Sequence, residues 1–153
     1  MKPKLKLHSF PDLEELRELF HREGSKLTHQ RLEIFQELSK AEDHPSAEEI
    51  FERVRTRIPT VSLDTIYRTL ETFERLGVIS RVEILDDRGR FDPNLEPHHH
   101  LVCTVCKSVM DFSWPQLDKL APPDRARRWG RISGSRMEVR GICSRCLNQE
   151  KEK

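Results

Sequence analysis

A chain of 153 residues that is 35% apolar and 35% charged fits one large domain or two small ones, each burying only a modest core. Cores of that size are usually supported by a metal, a disulfide or a partner subunit. The formal net charge of +1 singles out no class of partner. The chain shows no apolar run of membrane-spanning length, so no membrane partner is expected. A cytoplasmic protein is expected, with its four cysteines as metal ligands rather than disulfides.

Met1 to Phe10 carries Lys2, Lys4 and Lys6 and reads as an arm. Pro11-Asp12 opens a helix with Leu13, Leu16, Leu19 and Phe20 on one stripe, and Gly24 stops it. Thr28 caps a second helix, with Leu32, Phe35 and Leu38 inward. Ser46-Ala-Glu-Glu49 is a capping box that starts a third, with Ala47, Ile50, Phe51 and Val54 on one face. Ser62 caps a fourth, with Leu63, Ile66, Tyr67, Leu70 and Phe73 inward and Gly77 at its end. Ser80, Val82 and Ile84 then alternate with Arg81 and Glu83 as a strand. Asp86-Asp-Arg-Gly89 is a turn, and Arg90-Phe91 begins the return strand.

Helices followed by a hairpin predict a winged helix whose fourth helix enters a DNA major groove. Its outward face is expected to carry Thr65, Arg68, Thr69 and Thr72, with Tyr67 at the margin, all suited to phosphates and base edges. Residues 1–91 hold 16 Lys+Arg against 18 Asp+Glu, so DNA binding would rest on local groups: the N-terminal lysines, Arg31, Arg68, Arg88 and Arg90.

Residues 92–153 read as a second, small α+β domain. His100 to Cys103 and Ser108 to Phe112 form strands around a cysteine turn, Pro115 to Leu120 a short helix, and Ser135 to Ile142 another strand. Arg125 to Arg131 is a basic loop or exposed helix, and the tail from Asn148 is charged and frayed. Exposed strand edges invite a second copy. Cys103-x-x-Cys106 and Cys143-x-x-Cys146 present four thiolates, the ligand set of a closed structural zinc site.

His98 and His100 alternate and so share one side of a strand. Asp92 lies upstream and Asp111 on the strand after the cysteine turn. Nitrogen and oxygen donors without sulfur suit Fe(II), Mn(II) or Zn(II). His99 points the other way and reads as an ordinary surface residue.

These residues resemble the ferric uptake regulator family over about residues 12 to 147. The resemblance is carried by Leu27-Thr28-His-Gln-Arg31, His44-Pro45-Ser-Ala47, Thr65-Ile-Tyr67-Arg68-Thr-Leu70, Gly77-Val-Ile79 and Phe91-Asp92. It continues through His98-x-His100-x-x-Cys103-x-x-Cys106, Asp111-Phe112 and the final C-x-x-C. It implies a homodimeric, metal-dependent repressor that is not an enzyme and binds inverted-repeat operator DNA. A structural zinc would sit in the four cysteines, and a regulatory Fe(II) or Mn(II) at a hinge held by His44, Asp92, His98, His100 and Asp111. His44 enters through the resemblance alone. On that reading one ligand comes from the DNA-binding half and four from the other.

Aspartate at both 92 and 111 is similar to the peroxide-sensing branch, where iron-uptake regulators usually carry glutamate. That branch implies inactivation when peroxide and bound iron oxidise a ligand histidine, His98 or His44. The alternative is an iron- or manganese-responsive repressor without peroxide sensing. Two further classes, a non-haem iron oxygenase and a purely structural zinc module, would use only part of this ligand set. An additional family metal site would need histidines at Pro97 and near Ser135, leaving His99 and Asp118 as remnants. Lys107 stands where a glycine is usual after the first cysteine pair.

Overall fold

The computed structural model describes residues 9–84 and 89–152. Lys2, Lys4 and Lys6 of the arm and Asp86-Asp-Arg88 of the turn lie outside the described residues. The chain divides into two compact units, Met1–Glu96 and Pro97–Lys153. The division falls five residues beyond the boundary expected after Phe91, because the return strand of the hairpin runs on through Asp92.

In the first unit, α1 (Leu13–Arg22) is started by a capping box beyond the one expected at Ser46. The Asp12 carboxylate accepts from the Glu14 and Glu15 N–H groups, and Glu15 accepts from the Asp12 N–H, each at 2.9 Å. The expected caps start the next three helices: Thr28 for α2 (His29–Lys40), Ser46 with Glu49 for α3 (Ala47–Val54), and Ser62 for α4 (Leu63–Leu76). Each cap satisfies N–H groups that have no partner inside the helix, worth about 1 kcal/mol apiece. Gly77 ends α4 at φ 77°, a left-handed conformation that costs other residues a Cβ clash.

The apolar stripes converge on Leu16, Phe20, Ile34, Leu38, Ile50, Val54, Ile66, Leu70 and Phe73. Phe73 sits edge-on to both Phe20 and Phe35. Thr69, expected outward, is buried. It lies three residues after Ile66 and beside Leu70, so the inward stripe is wider than the apolar residues alone indicate. β1 (Ser80–Val82) and β2 (Arg90–Asp92) form an antiparallel pair in which Ser80 faces Asp92.

The second unit centres on β3 (His99–Cys103), with β4 (Val109–Phe112) antiparallel on one side and β5 (Glu138–Gly141) parallel on the other. Between β4 and β5 the chain forms α5 (Pro115–Asp118) and α6 (Asp124–Trp129), so the basic stretch begins as an exposed helix. The tail is not frayed from Asn148: α7 runs Ser144–Lys151, anchored in its first turn by buried Cys146. Among the described residues of this unit, the buried apolar side chains are Val102, Cys103 and Cys146. Met110, Trp114, Leu120, Trp129, Val139, Ile142 and Leu147 are exposed.

Candidate metal centres

The four cysteines come from two places. Cys103 closes β3 and Cys106 follows in the turn to β4, while Cys143 precedes α7 and Cys146 lies in its first turn. Their sulfurs all lie within 4.8 Å of one another. Cys103 Sγ is 3.9 Å from Cys146 Sγ, and Cys106 Sγ is 3.8 Å from Cys143 Sγ. These separations are far too long for disulfides, and all four thiols are free. A tetrahedral zinc with Zn–S bonds of about 2.3 Å requires sulfurs about 3.8 Å apart, so the residues fit this ion.

Local hydrogen bonds prepare the thiolates. The Cys143 N–H donates to Cys103 Sγ at 3.3 Å and, with help from backbone N–H groups of the turn, lowers the Cys103 pKa. Ser108 Oγ lies 3.1 Å from Cys106 Sγ and pulls the Cys106 pKa down to about 5. Hydrogen bonding to Cys143, followed by burial, pushes Cys146 up to about 12. Ser108 was not recognised from sequence as a functional residue. Its place two residues after Cys106 was the available signal.

Lys107 takes φ 61°, the one positive φ outside glycine among the described residues. Its N–H donates to Cys103 O at 3.0 Å. The turn that usually employs glycine is therefore retained, with the strain of a Cβ in the left-handed region.

A second donor cluster gathers around the start of β3 and the end of β4. His98 and His100 are both buried, and their Nε2 atoms are 2.9 Å apart. Each lies 3.4 Å from Asp111 Oδ1. The pairing of His100 with Asp111 across β3 and β4 places both on one face. Adjacent ligands bonded to one cation at about 2.1 Å stand about 3 Å apart, so the set matches part of the shell of a nitrogen- and oxygen-preferring metal.

His99 is not the surface residue expected: it is 2% exposed. Its Nδ1 accepts from the Met137 N–H at 3.1 Å, and its Nε2 lies 2.9 Å from Asp118 Oδ1. Alternation does turn it away from His98 and His100, but into the packing beneath α5 rather than into water.

In the first unit, His44 and Asp92 are brought together by the loop before α3 and the end of β2. His44 Nε2 is 3.5 Å from Asp92 Oδ1, and both are buried. Two staples tie loop to strand. The Phe91 N–H donates to Pro45 O at 3.0 Å, and Arg90 Nη1 donates to Glu49 Oε2 at 2.8 Å while that oxygen also accepts from Ser46 N. Asp92 Oδ1 further accepts from Asn94 N–H at 2.8 Å. Asp92 is thus carried by the first unit, not by the second as the sequence boundary placed it. Two of the five proposed ligands belong to the first unit and three to the second.

The expected DNA contacts are arranged unequally. Arg68 is exposed on α4, with its Nε 2.9 Å from Asp64 Oδ2. Tyr67 is half-buried and donates from its hydroxyl to Glu48 Oε1 at 2.8 Å. Thr65 Oγ1 lies 2.9 Å from the cap Ser62 Oγ. Arg31 donates to Ser25 Oγ and Lys26 O and lies over the Phe20 ring, which holds its guanidinium against its own domain. Arg90 is engaged by Glu49.

Residues 22–140 match the family model described as "Ferric uptake regulator family". The peroxide-responsive repressor PerR of Staphylococcus epidermidis (strain ATCC 12228 / FDA PCI 1200) is 32% identical over 138 residues, 90% of this chain and 92% of that protein. A solved zinc-bound manganese uptake regulator is 34% identical, with TM-score 0.64 over 84% of this chain and 98% of that one. The ferric uptake regulator Fur of Helicobacter pylori, 24% identical, matches in fold with TM-score 0.76 over 92% of this chain and 97% of that one.

Proposed function

Because the chain belongs to the ferric uptake regulator family, whose members are metal-responsive repressors, we propose that it is a peroxide-sensing repressor acting in the cytoplasm. His44 and Asp92 from one unit and His98, His100 and Asp111 from the other would hold a single Fe(II) or Mn(II). The observation that carries this reading is the cluster of buried His98 and His100 with half-buried Asp111, which offers only nitrogen and oxygen donors. It is separate in ligand type from the four-sulfur site of the structural zinc. No helix among the described residues is long and apolar enough to cross a membrane.

Ligands from both units tie metal binding to the interdomain arrangement, so the free energy of binding biases the protein toward its DNA-competent form. The homodimer would place two copies of α4 on an inverted repeat. Arg68 is the side chain best placed to meet a base edge, Tyr67 and Thr65 would support it, and Arg31 would meet a phosphate.

Bound Fe(II) would supply the one-electron redox chemistry that cleaves the O–O bond of peroxide. The nearest oxidisable groups of the chain are then the imidazoles, since the thiolates are committed to zinc, which has no redox chemistry. One peroxide oxygen would bond to a ring carbon of His98 or His44, and the displaced hydrogen would leave with the other oxygen as water. The oxidised ring would be a weaker ligand, so metal binding would no longer favour the DNA-competent form. Aspartate rather than the longer glutamate at 92 and 111 supports this reading over an iron-uptake regulator. The 34% identity to a manganese uptake regulator supports the alternative, a metal-responsive repressor without peroxide sensing.

Tandem mass spectrometry on iron- and manganese-loaded protein at low peroxide decides between them. The expected result is one added oxygen on His98 or His44 in the iron form only, with loss of DNA binding. Oxidation confined to cysteines, or equal histidine oxidation with both metals, defeats peroxide sensing and leaves the metal-responsive alternative.

A further inference from the structure

The two units carry opposite charge. Residues 1–96 hold 16 Lys+Arg against 20 Asp+Glu, whereas residues 97–153 hold 11 against 6. The unit with the DNA-reading helix is therefore the acidic one. The whole surplus of the other is contained in residues 125–137, which hold Arg125, Arg127, Arg128, Arg131 and Arg136 and no acidic residue.

All five arginines are exposed or nearly so. They lie on α6 and the segment between it and β5. No ion pair within the described residues engages any of them; Arg127 donates to Pro122 O, which leaves its charge uncompensated. Trp129, in the middle of the run, is 84% exposed. Solvated charges of this kind normally alternate in sign; five of one sign in thirteen residues repel each other unless a polyanion is near.

We propose that this arginine segment is a sequence-independent contact surface for the phosphate backbone of duplex DNA, additional to α4. Electrostatic affinity for DNA comes from Lys and Arg that displace condensed counterions. The first unit is poorly equipped for that, since it is acidic overall and its Arg68 and Arg90 are paired with the Asp64 and Glu49 carboxylates. Guanidinium groups bind phosphate oxygens in pairs of hydrogen bonds, which explains arginine at all five positions. A second copy of the chain fits less well, because a two-fold pairing sets like charges against like near its axis. In such a complex the reading helix supplies discrimination and the arginine segment supplies salt-sensitive affinity.

The inference rests on the DNA-binding reading, and the test separates the two. Zinc-replete, manganese-loaded full-length protein is titrated onto a long mixed-sequence duplex across a range of salt concentrations. The Arg125→Gln/Arg128→Gln/Arg131→Gln variant should bind with a shallower dependence of log affinity on log salt, by about 0.9 for each phosphate that is no longer neutralised. Zinc content and oligomeric state should be unchanged, and Arg→Lys at the same positions should restore most of the slope. Trp129 emission should respond to duplex in the parent. If the parent binds with the same slope as the glutamine variant, the inference is overturned and the segment is assigned to charge pairing within the protein. A changed oligomeric state overturns it in favour of an interface between copies. No duplex binding by the parent sinks the repressor reading itself.

Discussion

The two units solve the same folding problem with different chemistry. The first buries a run of leucine, isoleucine, valine and phenylalanine from four capped helices. The second has Val102 as its one buried aliphatic side chain among the described residues and leaves most of its large apolar groups at the surface. What fills its interior instead is Cys103, Cys146 and three histidines. A hydrophobic core holds a fold without a cofactor. A cluster of thiols and imidazoles holds it only when a metal supplies the attraction those groups lack for each other. Three of the five proposed sensing ligands lie in the unit with the smaller apolar core.

The sharpest way to break this contrast is to remove the zinc. In Cys143→Ser the second unit should lose its structure, since binding worth about 10 kcal/mol or more becomes folding free energy in small zinc sites. Hydrogen exchange should show rapid exchange in β3 to β5 and continued protection in α1 to α4. Protection of β3 without zinc would falsify the assignment. Zinc affinity should also rise with pH through the neutral range. The proton held most tightly in the apo site is that of Cys146, pushed up to about 12, and it must leave before zinc binds.

The complementary experiment empties the other core. Phe73→Ala removes a fully buried ring that packs against Phe20 and Phe35. It should destabilise the first unit by about 3–5 kcal/mol, with the zinc content and the exchange pattern of the second unit unchanged. Comparable loss of protection in both units would show that they do not fold on separate terms.

A smaller effect sharpens the comparison at one residue. Lys107→Gly relieves the left-handed strain in the cysteine turn, offset by the greater chain entropy that glycine brings to the unfolded state. A gain of about 1 kcal/mol in the zinc-loaded second unit is expected, read as a shift of its denaturation midpoint. A loss of stability would mean that the Lys107 side chain contributes more than its backbone conformation costs.

Much of the fold was legible in the chain. Caps at Thr28, Ser46 and Ser62, the stop at Gly77 and the period of the apolar residues located three helices closely, because each is a local signal that needs no distant partner. The cysteine spacing identified its zinc site for the same reason. Thr69 was misread because a buried threonine looks polar in sequence, and α7 because its anchor, Cys146, depends on sulfurs from a distant part of the chain. The sequence also recorded the charge asymmetry of the two halves.

Tertiary structure alone decided three things. It assigned Asp92 to the first unit, through hydrogen bonds of β2 and the loop at Pro45 that join distant segments. It turned His99 from a surface residue into a buried one held by Met137 and Asp118. It also brought the Cys143 N–H to Cys103 Sγ, where a hydrogen bond from a distant segment prepares a thiolate for metal. Side-chain type and spacing limit which ligands are possible. Which of them meet, and in what surroundings, depends on contacts between residues far apart in the chain, and those exist only once the chain has folded.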